Sequence, residues 1–151
     1  ALAQAPIEGA GGSSERAGGP FGIGVAIGAP AGATGRLWFG DWSALQFTAG
    51  GDLGTFKSLG GSADYVVALR PFEVEDNVVA IPLHVGGGVN VDLNLGGATG
   101  VVLIGPRAVF GASLLVPDLP IDFHAEIAPT LYFIEQPGWS VDGQIGFRYY
   151  L

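Results

Sequence analysis

The sequence has no cysteine and no methionine, and only 13% of its 151 residues are charged. Without cysteine, a disulfide framework and thiol chemistry are both excluded. Because Met is missing even at position 1, we expect a processed chain, and the opening Ala-Leu-Ala has the pattern that ends a secretory signal peptide. The net charge of −8 argues against nucleic acid as a partner.

Long apolar runs are also missing, since no stretch approaches the roughly 18 residues that a membrane-spanning helix needs. Soluble domains usually carry about 25% charged residues, yet this chain has few charges and a positive mean hydropathy. Its 27 glycines and 10 prolines disfavour helix. Two classes fit this composition: a deeply buried soluble β-protein, or a β-barrel in lipid.

The clearest pattern lies in residues 121–151, where two segments alternate between apolar and mostly polar positions. The apolar positions are Ile121, Phe123, Ala125, Ile127, Pro129, Leu131 and Phe133, then Val141, Gly143, Ile145, Phe147, Tyr149 and Leu151. A period of two predicts strands with two different faces. Two strands of about a dozen residues joined by a short turn are typical of a membrane-spanning hairpin.

The same alternation predicts six more strands after a leader at residues 1–19 that is rich in Gly, Ala and Ser. These strands cover residues 20–28, 34–40, 44–53, 62–70, 77–89 and about 101–115. Pro82 cannot donate a backbone hydrogen bond, so a bulge is expected there. We therefore predict an all-β domain over residues 20–151: an eight-stranded antiparallel up-and-down transmembrane β-barrel with short loops.

Eight charged residues fall on the inward faces of these strands, four of each sign. They are Arg36, Arg70, Arg107 and Arg148, together with Asp64, Asp122, Glu126 and Asp142. An eight-stranded barrel is just wide enough for its own side chains to fill it. The pattern therefore predicts a polar lumen plugged by a salt-bridge network, with His84 and His124 also facing inward, and no open channel.

Aromatic residues cluster near the predicted strand ends. Trp42 and Phe72 lie near the turns on the side of the termini, and Phe133 and Trp139 near the opposite turns. Girdles of this kind mark the two interfaces of a membrane, so we expect these four residues to form them.

Four stretches resemble a family of small bacterial outer-membrane β-barrels best known from spirochaetes. They are residues 22–38 (GIGVAIGAPAGATGRLW), 81–89 (IPLHVGGGV), 119–129 (LPIDFHAEIAP) and 143–151 (GQIGFRYYL). Their order and spacing match over about residues 21–151. The resemblance implies an OmpA-like barrel in the bacterial outer membrane, whose biological role is poorly defined.

The end of the chain bears on the same resemblance. Ile145, Phe147 and Tyr149 resemble the C-terminal signal that the barrel insertion machinery recognises, whereas Leu151 stands where such barrels usually end in an aromatic residue. The expected partners are membrane lipid, that machinery and other envelope proteins, and no cofactor is expected.

Two sites of chemistry compete with this structural interpretation. Asp122, His124 and Glu126 share one strand face, a spacing that could present a metal ligand set or an acid–base set. The favoured alternative is a lumen network in which Arg107 and Arg148 pair with these carboxylates. Ser113 and Ser140 are the candidate nucleophiles of a lipid-modifying enzyme.

Three functions therefore stand side by side. The first is a structural or interaction barrel, including a subunit of a larger envelope complex. The second is a lipid-modifying barrel enzyme. The third is a soluble ligand-binding barrel resembling a lipocalin, which requires an apolar inside and a polar outside. Because the charges here favour the inside, we predict the first function, with no enzymatic activity and no metal.

Overall fold

The computed structural model describes residues 19–39, 42–51, 57–69, 72–73, 80–97, 99–116 and 119–151. The predicted leader lies outside this part of the chain except for its last residue, and so does Arg70. Phe72 lies in a described strand, but its side chain is not among the described ones. Within the described residues, no helix is long and apolar enough to cross a membrane.

In this part of the chain the backbone forms ten strands. They are β1 (Phe21–Gly28), β2 (Ala31–Trp38), β3 (Ser43–Gly51), β4 (Ser58–Ala68), β5 (Phe72–Glu73), β6 (Ala80–Ile81), β7 (Leu83–Asn94), β8 (Val101–Leu115), β9 (Ile121–Tyr132) and β10 (Gly138–Tyr150). Strands β5 and β6 form a short hairpin that continues β4 and β7. The other eight strands form the wall.

The wall is a closed ring of antiparallel strands. Each of the eight strands pairs with its neighbours along the chain, and β1 pairs with β10 to close the circle. Strands β8 and β9 also pair, so every strand of the ring has a partner on both sides. The predicted eight-stranded antiparallel barrel is therefore confirmed.

The register of the ring shows how far its strands are staggered. A path that follows paired residues from strand to strand starts at Leu115 of β8. After one circuit of the barrel it returns to β8 at Gly105, ten residues earlier. The path passes Leu115, Asp122, Arg148, Gly24, Thr34, Thr48, Ser62, Asn90 and Gly105. Such a stagger tilts the strands by about 35–45° to the barrel axis. Residues paired across strands therefore lie at different heights in the lumen.

Several strands are longer than their alternation predicts. Strand β2 begins at Ala31, β4 begins at Ser58 and β7 extends to Asn94. Their added segments contain glycine, serine and asparagine, which are typical of loops in sequence. Pairing of Ser58 with Asn94 keeps both segments in the sheet, so the connections at that end are shorter than expected.

The predicted bulge at Pro82 is wrong. Ala80 pairs with Leu115 on one side of the proline, and Leu83 pairs with Ala112 on the other. The two pairs are three positions apart on both strands, with two residues between them on each, so neither strand has an extra residue. Pro82 interrupts the hydrogen bonds of this strand without changing its register.

The two faces of the wall differ sharply in polarity. On β9, the outward Phe123 and Ile127 are 49% and 56% exposed, while the inward Asp122 and Glu126 are 1% and 4% exposed. Folded soluble proteins almost never bury such carboxylates while leaving large apolar side chains in rows on the outside. The barrel thus has an apolar exterior and a polar interior.

Candidate functional site

The lumen is the candidate functional site. Apolar side chains close it at the end where β1 begins and β10 ends, which are the termini of the barrel. We call this group the apolar layer: Trp38, Ala44, Val66, Ala68, Leu115 and Tyr150. Most of these residues lie at or near the ends of their strands, and all are at most 7% exposed. They separate the inside of the barrel from the surface at that end.

Four charged residues lie next to the apolar layer, and we call them the ion-pair cluster: Arg36, Asp122, Glu126 and Arg148. A nitrogen of Arg36 lies 3.2 Å from Glu126 Oε1, and Arg148 Nη2 lies 3.5 Å from the same oxygen. Arg148 Nε is 3.3 Å from Asp122 Oδ1, and Arg36 Nη1 is 4.0 Å from Asp122 Oδ2. Each arginine thus contacts both carboxylates, and the two signs balance, as buried charges require.

Gln46 joins the two halves of this cluster. Its Oε1 accepts hydrogen bonds from Arg36 Nε at 3.0 Å and Arg148 Nη1 at 2.8 Å, while its Nε2 donates to Glu126 Oε2 at 2.7 Å. The sequence analysis did not single out this neutral residue. Its inward position on the third strand was a signal, since an amide both donates and accepts.

Other neutral groups complete the coordination of the carboxylates. Gln144 Nε2 donates to Glu126 Oε2 at 2.7 Å, and Tyr150 donates its hydroxyl hydrogen to Asp122 Oδ2 at 2.7 Å. His84 Nε2 lies 2.9 Å from Glu126 Oε1. Charge-assisted hydrogen bonds of this kind are roughly twice as strong as neutral ones. They therefore hold the side chains of the cluster in place across the lumen.

A bare glycine allows His84 to meet Glu126. These residues lie on β7 and β9, and Gly111 of β8 stands between them in the register. A Cβ atom placed on Gly111 would collide with His84 Nε2 and lie 2.7 Å from Glu126 Cγ. The absence of a side chain at this one position therefore brings together partners from strands that do not pair with each other.

A second, smaller ion pair forms in the same way farther from the apolar layer. Arg107 Nε lies 3.2 Å from Asp64 Oδ1, and Gly88 stands between the two residues in the register. The predicted network therefore divides into two parts. Arg107 pairs with Asp64 and not with Asp122 or Glu126, because the stagger of the strands places it closer to the opposite end of the lumen.

The remaining members of the predicted network have different surroundings. Asp142 is partly exposed, and its Oδ2 accepts a hydrogen bond from Ser140 Oγ at 3.4 Å. Among the described residues no arginine or lysine lies within 4.0 Å of its carboxylate. His124 Nδ1 lies 3.4 Å from Asp122 Oδ1. Arg70 falls outside the described part of the chain.

The alternatives with metal or catalytic chemistry find little geometric support. In the described ranges, no group of three or more His, Asp or Glu is placed to hold a metal ion. Ser113 faces His124 across the β8–β9 pairing, yet neither the serine hydroxyl nor either ring nitrogen has a hydrogen-bond partner. The serine–histidine hydrogen bond that activates a nucleophile is therefore not formed.

The predicted girdle and C-terminal residues lie on the outer surface. Trp42 precedes β3 at the end with the apolar layer and is 50% exposed, while Trp139, at the opposite end, is 76% exposed. Phe133 is also exposed and lies near Trp139. The residues of the predicted insertion signal point outward too: Ile145, Phe147, Tyr149 and Leu151.

No protein-family model matches the chain, and no curated protein sequence matches it. Among solved structures, the barrel is similar to the crystal structure of the N-terminal β-barrel domain of Pseudomonas aeruginosa OprF. The two share 15% sequence identity with a TM-score of 0.48, over 85% of this chain and 96% of that one.

Proposed function

We propose that this chain is an integral β-barrel of the bacterial outer membrane with a closed lumen and a structural or interaction role. The observation that carries the proposal is the inverted polarity of the wall, with apolar side chains outside and paired charges inside. Barrels that span outer membranes have this arrangement. Membership of the spirochaete-type family is part of the same proposal.

The dimensions of the wall support a membrane location. Strand β9 has 12 residues; at about 3.3 Å per residue and a tilt of about 40°, such a strand rises roughly 30 Å. The apolar band of an outer-membrane barrel is about 25 Å tall. The outer face of β9 is apolar over this whole length, and Trp42 and Trp139 lie near opposite edges, where interfacial tryptophans are favoured.

The structural role follows from the closed lumen and the short connections. At the end opposite to the termini, the four connections contain two, six, six and five residues, counted between the strand ends. Such connections offer little surface for binding large external partners. Contacts in the membrane plane or the periplasm are therefore favoured, including a place as a subunit of a larger envelope complex.

Export and assembly complete this proposal. A cleaved signal peptide would deliver the chain across the inner membrane, and the insertion machinery would recognise the outward-facing Ile145, Phe147 and Tyr149 at the end of β10. Replacing Phe147 and Tyr149 together by serine should reduce insertion into the outer membrane. Fractionation of cells expressing each form measures that insertion.

The first experiment separates the membrane barrel from a soluble barrel resembling a lipocalin. The purified protein should require detergent, resist SDS at room temperature and change its gel mobility only after boiling. The lumen supports the same choice, because a lipocalin binds its ligand in an apolar interior. A protein that is soluble without detergent and shows no change in mobility would overturn the proposal.

The second experiment tests the closed lumen. Reconstituted into a planar lipid bilayer, the folded protein should give no steady ion conductance, because the ion-pair cluster and the apolar layer block the passage. Sustained conductance steps would show an open pore instead.

A third experiment tests the interaction role. Specific envelope proteins recovered together with the detergent-solubilised barrel would identify its partners. A barrel that is purified without any other envelope protein would count against this role.

A further inference from the structure

The contact between β8 and β9 is interrupted in the part of the wall farther from the apolar layer. Six consecutive residues of β8, Phe110–Leu115, pair with β9, and beyond them the described residues form one further pair, Arg107 with Thr130. On their other sides the same two strands have complete seams, since β7–β8 and β9–β10 each contain 12 consecutive pairs. The two strands therefore lose contact on one side that they keep on the other.

Neither a change of register nor a wide gap accounts for this interruption. On both strands the isolated pair lies three positions from the nearest of the six consecutive pairs, so neither strand has an extra residue. The backbones also stay close, because a Cβ atom placed on Gly105 would collide with the carbonyl oxygen of Leu131. The missing pairs must therefore come from the hydrogen-bonding groups themselves.

Two prolines explain the missing pairs. Phe133 N donates to Ile104 O at 3.4 Å across this seam, and every second residue of a strand directs its backbone polar groups to the same side. Pro106 of β8 and Pro129 of β9 therefore both face this seam, and neither has an N–H to donate. Each position should exchange two hydrogen bonds with the opposite strand and keeps at most one.

The carbonyl groups opposite the prolines lose the donor that they would otherwise have. The register places Pro106 opposite Leu131 and Pro129 opposite Ala108. The side chains of these four residues lie on the outer face of the wall, so the affected backbone borders the proposed lipid. No water replaces a missing backbone hydrogen bond in hydrocarbon. Separating the two strands therefore breaks fewer hydrogen bonds here than at a complete seam.

A proline on the other side of β8 shows the effect of a single interruption. Pro82 lies between β6 and β7, and its carbonyl oxygen accepts a hydrogen bond from Ser113 N at 3.0 Å. Pairing resumes on both sides of it, at Ala80 and at Leu83. At the β8–β9 seam two successive hydrogen-bonding positions are affected, and consecutive pairing does not resume beyond them in the described strands.

Polar side chains lie directly behind the interrupted seam. Arg107 and Thr130 form its isolated pair and point into the lumen, at 5% and 1% exposure. Val109 and Ala128 cover the inner face of the unpaired stretch, at 0% and 3% exposure. Because both are apolar, they form no ion pair across the seam. A separation of the strands at this place would connect polar groups of the lumen with the surroundings of the barrel.

We propose that the part of the β8–β9 seam around Pro106 and Pro129 is a lateral gate. The two strands separate there locally, while the six consecutive pairs nearer the apolar layer stay formed. Proteins open locally where the contacts are weakest. An open gate gives molecules dissolved in the membrane a path to Arg107 and Thr130.

The gate leads sideways and leaves the ion-pair cluster in place, so it provides no passage for ions along the barrel axis. It goes beyond the proposed function but rests on the membrane location. The boiling-dependent change in gel mobility tests that location separately, whereas the experiments below test the gate in protein that already shows this change.

Amide hydrogen exchange tests the opening within a single strand. The amide of Ala108 points across the gate to β9, whereas those of Arg107 and Val109 point to β7, on the same side as Ser113 N. In detergent micelles the Ala108 amide should exchange at least about tenfold faster than either neighbour, measured residue by residue by NMR. Equal protection of the three amides would overturn the gate.

Restoring the missing donors should close the gate. The double variant Pro106→Ala/Pro129→Ala adds both N–H groups without adding bulk, and should slow exchange of the Ala108 amide to the rate of its neighbours. Pro82→Ala is the matched control, because it restores a donor on the other side of β8, and it should leave the exchange of Ala108 unchanged. Fast exchange of Ala108 that persists in the double variant contradicts the proposal.

A thiol behind the gate tests access from the membrane. The chain has no cysteine, so Thr130→Cys supplies a single thiol at the gate, and Thr48→Cys supplies one on β3, on the opposite side of the ring. The two threonines are equally buried, at 1% and 2% exposure.

In lipid vesicles, an apolar maleimide should modify the Thr130→Cys thiol at least about tenfold faster than the Thr48→Cys thiol, because reactivity follows access. Adding Pro106→Ala and Pro129→Ala should remove this difference. Equal rates for the two thiols, or a Thr130→Cys rate that the two proline changes leave as high, would show that the membrane has no path through this seam.

Discussion

The two halves of the lumen differ in how the described residues satisfy their charged and polar groups. In the ion-pair cluster, protein atoms satisfy nearly all of the charge: Glu126 alone contacts Arg36, Arg148, His84, Gln46 and Gln144. In the other half, the hydroxyls of Thr34, Thr48 and Ser62 have no hydrogen-bond partner among the described residues, and neither does the hydroxyl of Ser113 near the cluster.

The difference shows that burial alone does not describe a polar interior. Leaving a charge unpaired inside a protein costs several kcal/mol, whereas a hydroxyl needs only one or two hydrogen bonds that water supplies. The cluster that closes the lumen must therefore be built from protein groups of both signs. The other half contains the Asp64–Arg107 pair among mostly neutral side chains.

The largest expected effect separates the two ion pairs. Arg148→Met removes a cation that contacts Asp122, Glu126 and Gln46, and should lower the free energy of unfolding by about 3–5 kcal/mol. Arg107→Met removes a cation with one acidic partner among the described residues, Asp64, and should cost only about half as much. Urea titration in lipid vesicles, followed by tryptophan fluorescence, measures both. Equal losses would contradict the division of the lumen.

The next largest effect concerns the carboxylates. Glu126→Gln keeps the shape of the side chain but removes the charge that neutralises two arginines, and should destabilise the barrel by about 1.5–3 kcal/mol. Asp142→Asn is the matched control, because no arginine or lysine among the described residues contacts Asp142. Its unfolding free energy should change by less than about 0.5 kcal/mol. A larger loss for Asp142→Asn would refute this placement.

A glycine comparison tests the close approach inside the cluster. Gly111→Ala puts a methyl group against His84 and Glu126 and should cost about 1–3 kcal/mol, as overpacking usually does. Gly143→Ala is the control, since a Cβ there meets nothing within 4 Å. It should leave stability unchanged or slightly higher. If both variants unfold at the same urea concentration, the missing side chain of Gly111 is not what allows His84 to contact Glu126.

The smallest effect is expected in the half of the lumen away from the apolar layer. Thr48→Val removes a hydroxyl of nearly the same shape, and should lower the free energy of unfolding by about 0.5–1 kcal/mol as a hydrogen bond to water is lost. In a dry lumen the same change would remove an unsatisfied polar atom and raise stability. The sign of the change in the urea midpoint therefore distinguishes the two cases.

Much of the wall could be predicted from the sequence because strand alternation is a local property. Ile121, Phe123 and Ile127 were assigned outward, and Asp122 and Glu126 inward, from their spacing alone. The ends of β2, β4 and β7 could not be predicted in the same way. Their glycines and polar residues resemble loops, and only pairing with a neighbouring strand keeps them in the sheet.

The pairing inside the lumen depended on information that the sequence does not carry locally. Arg107 was expected beside Asp122 or Glu126 and instead contacts Asp64, across the bare Gly88. Gln46 belongs to no charge pattern in the sequence, yet its side chain joins two arginines to one glutamate. Such partners come from strands far apart along the chain, so the alternation of any one strand cannot identify them.

By itself, the sequence determined which face of each strand is apolar and that eight such strands would form an antiparallel barrel, because these depend on side chains one or two residues apart. Only the tertiary structure decided the heights at which inward residues meet. The ten-residue stagger around the ring and the glycines between facing side chains bring four charged side chains together next to the apolar layer.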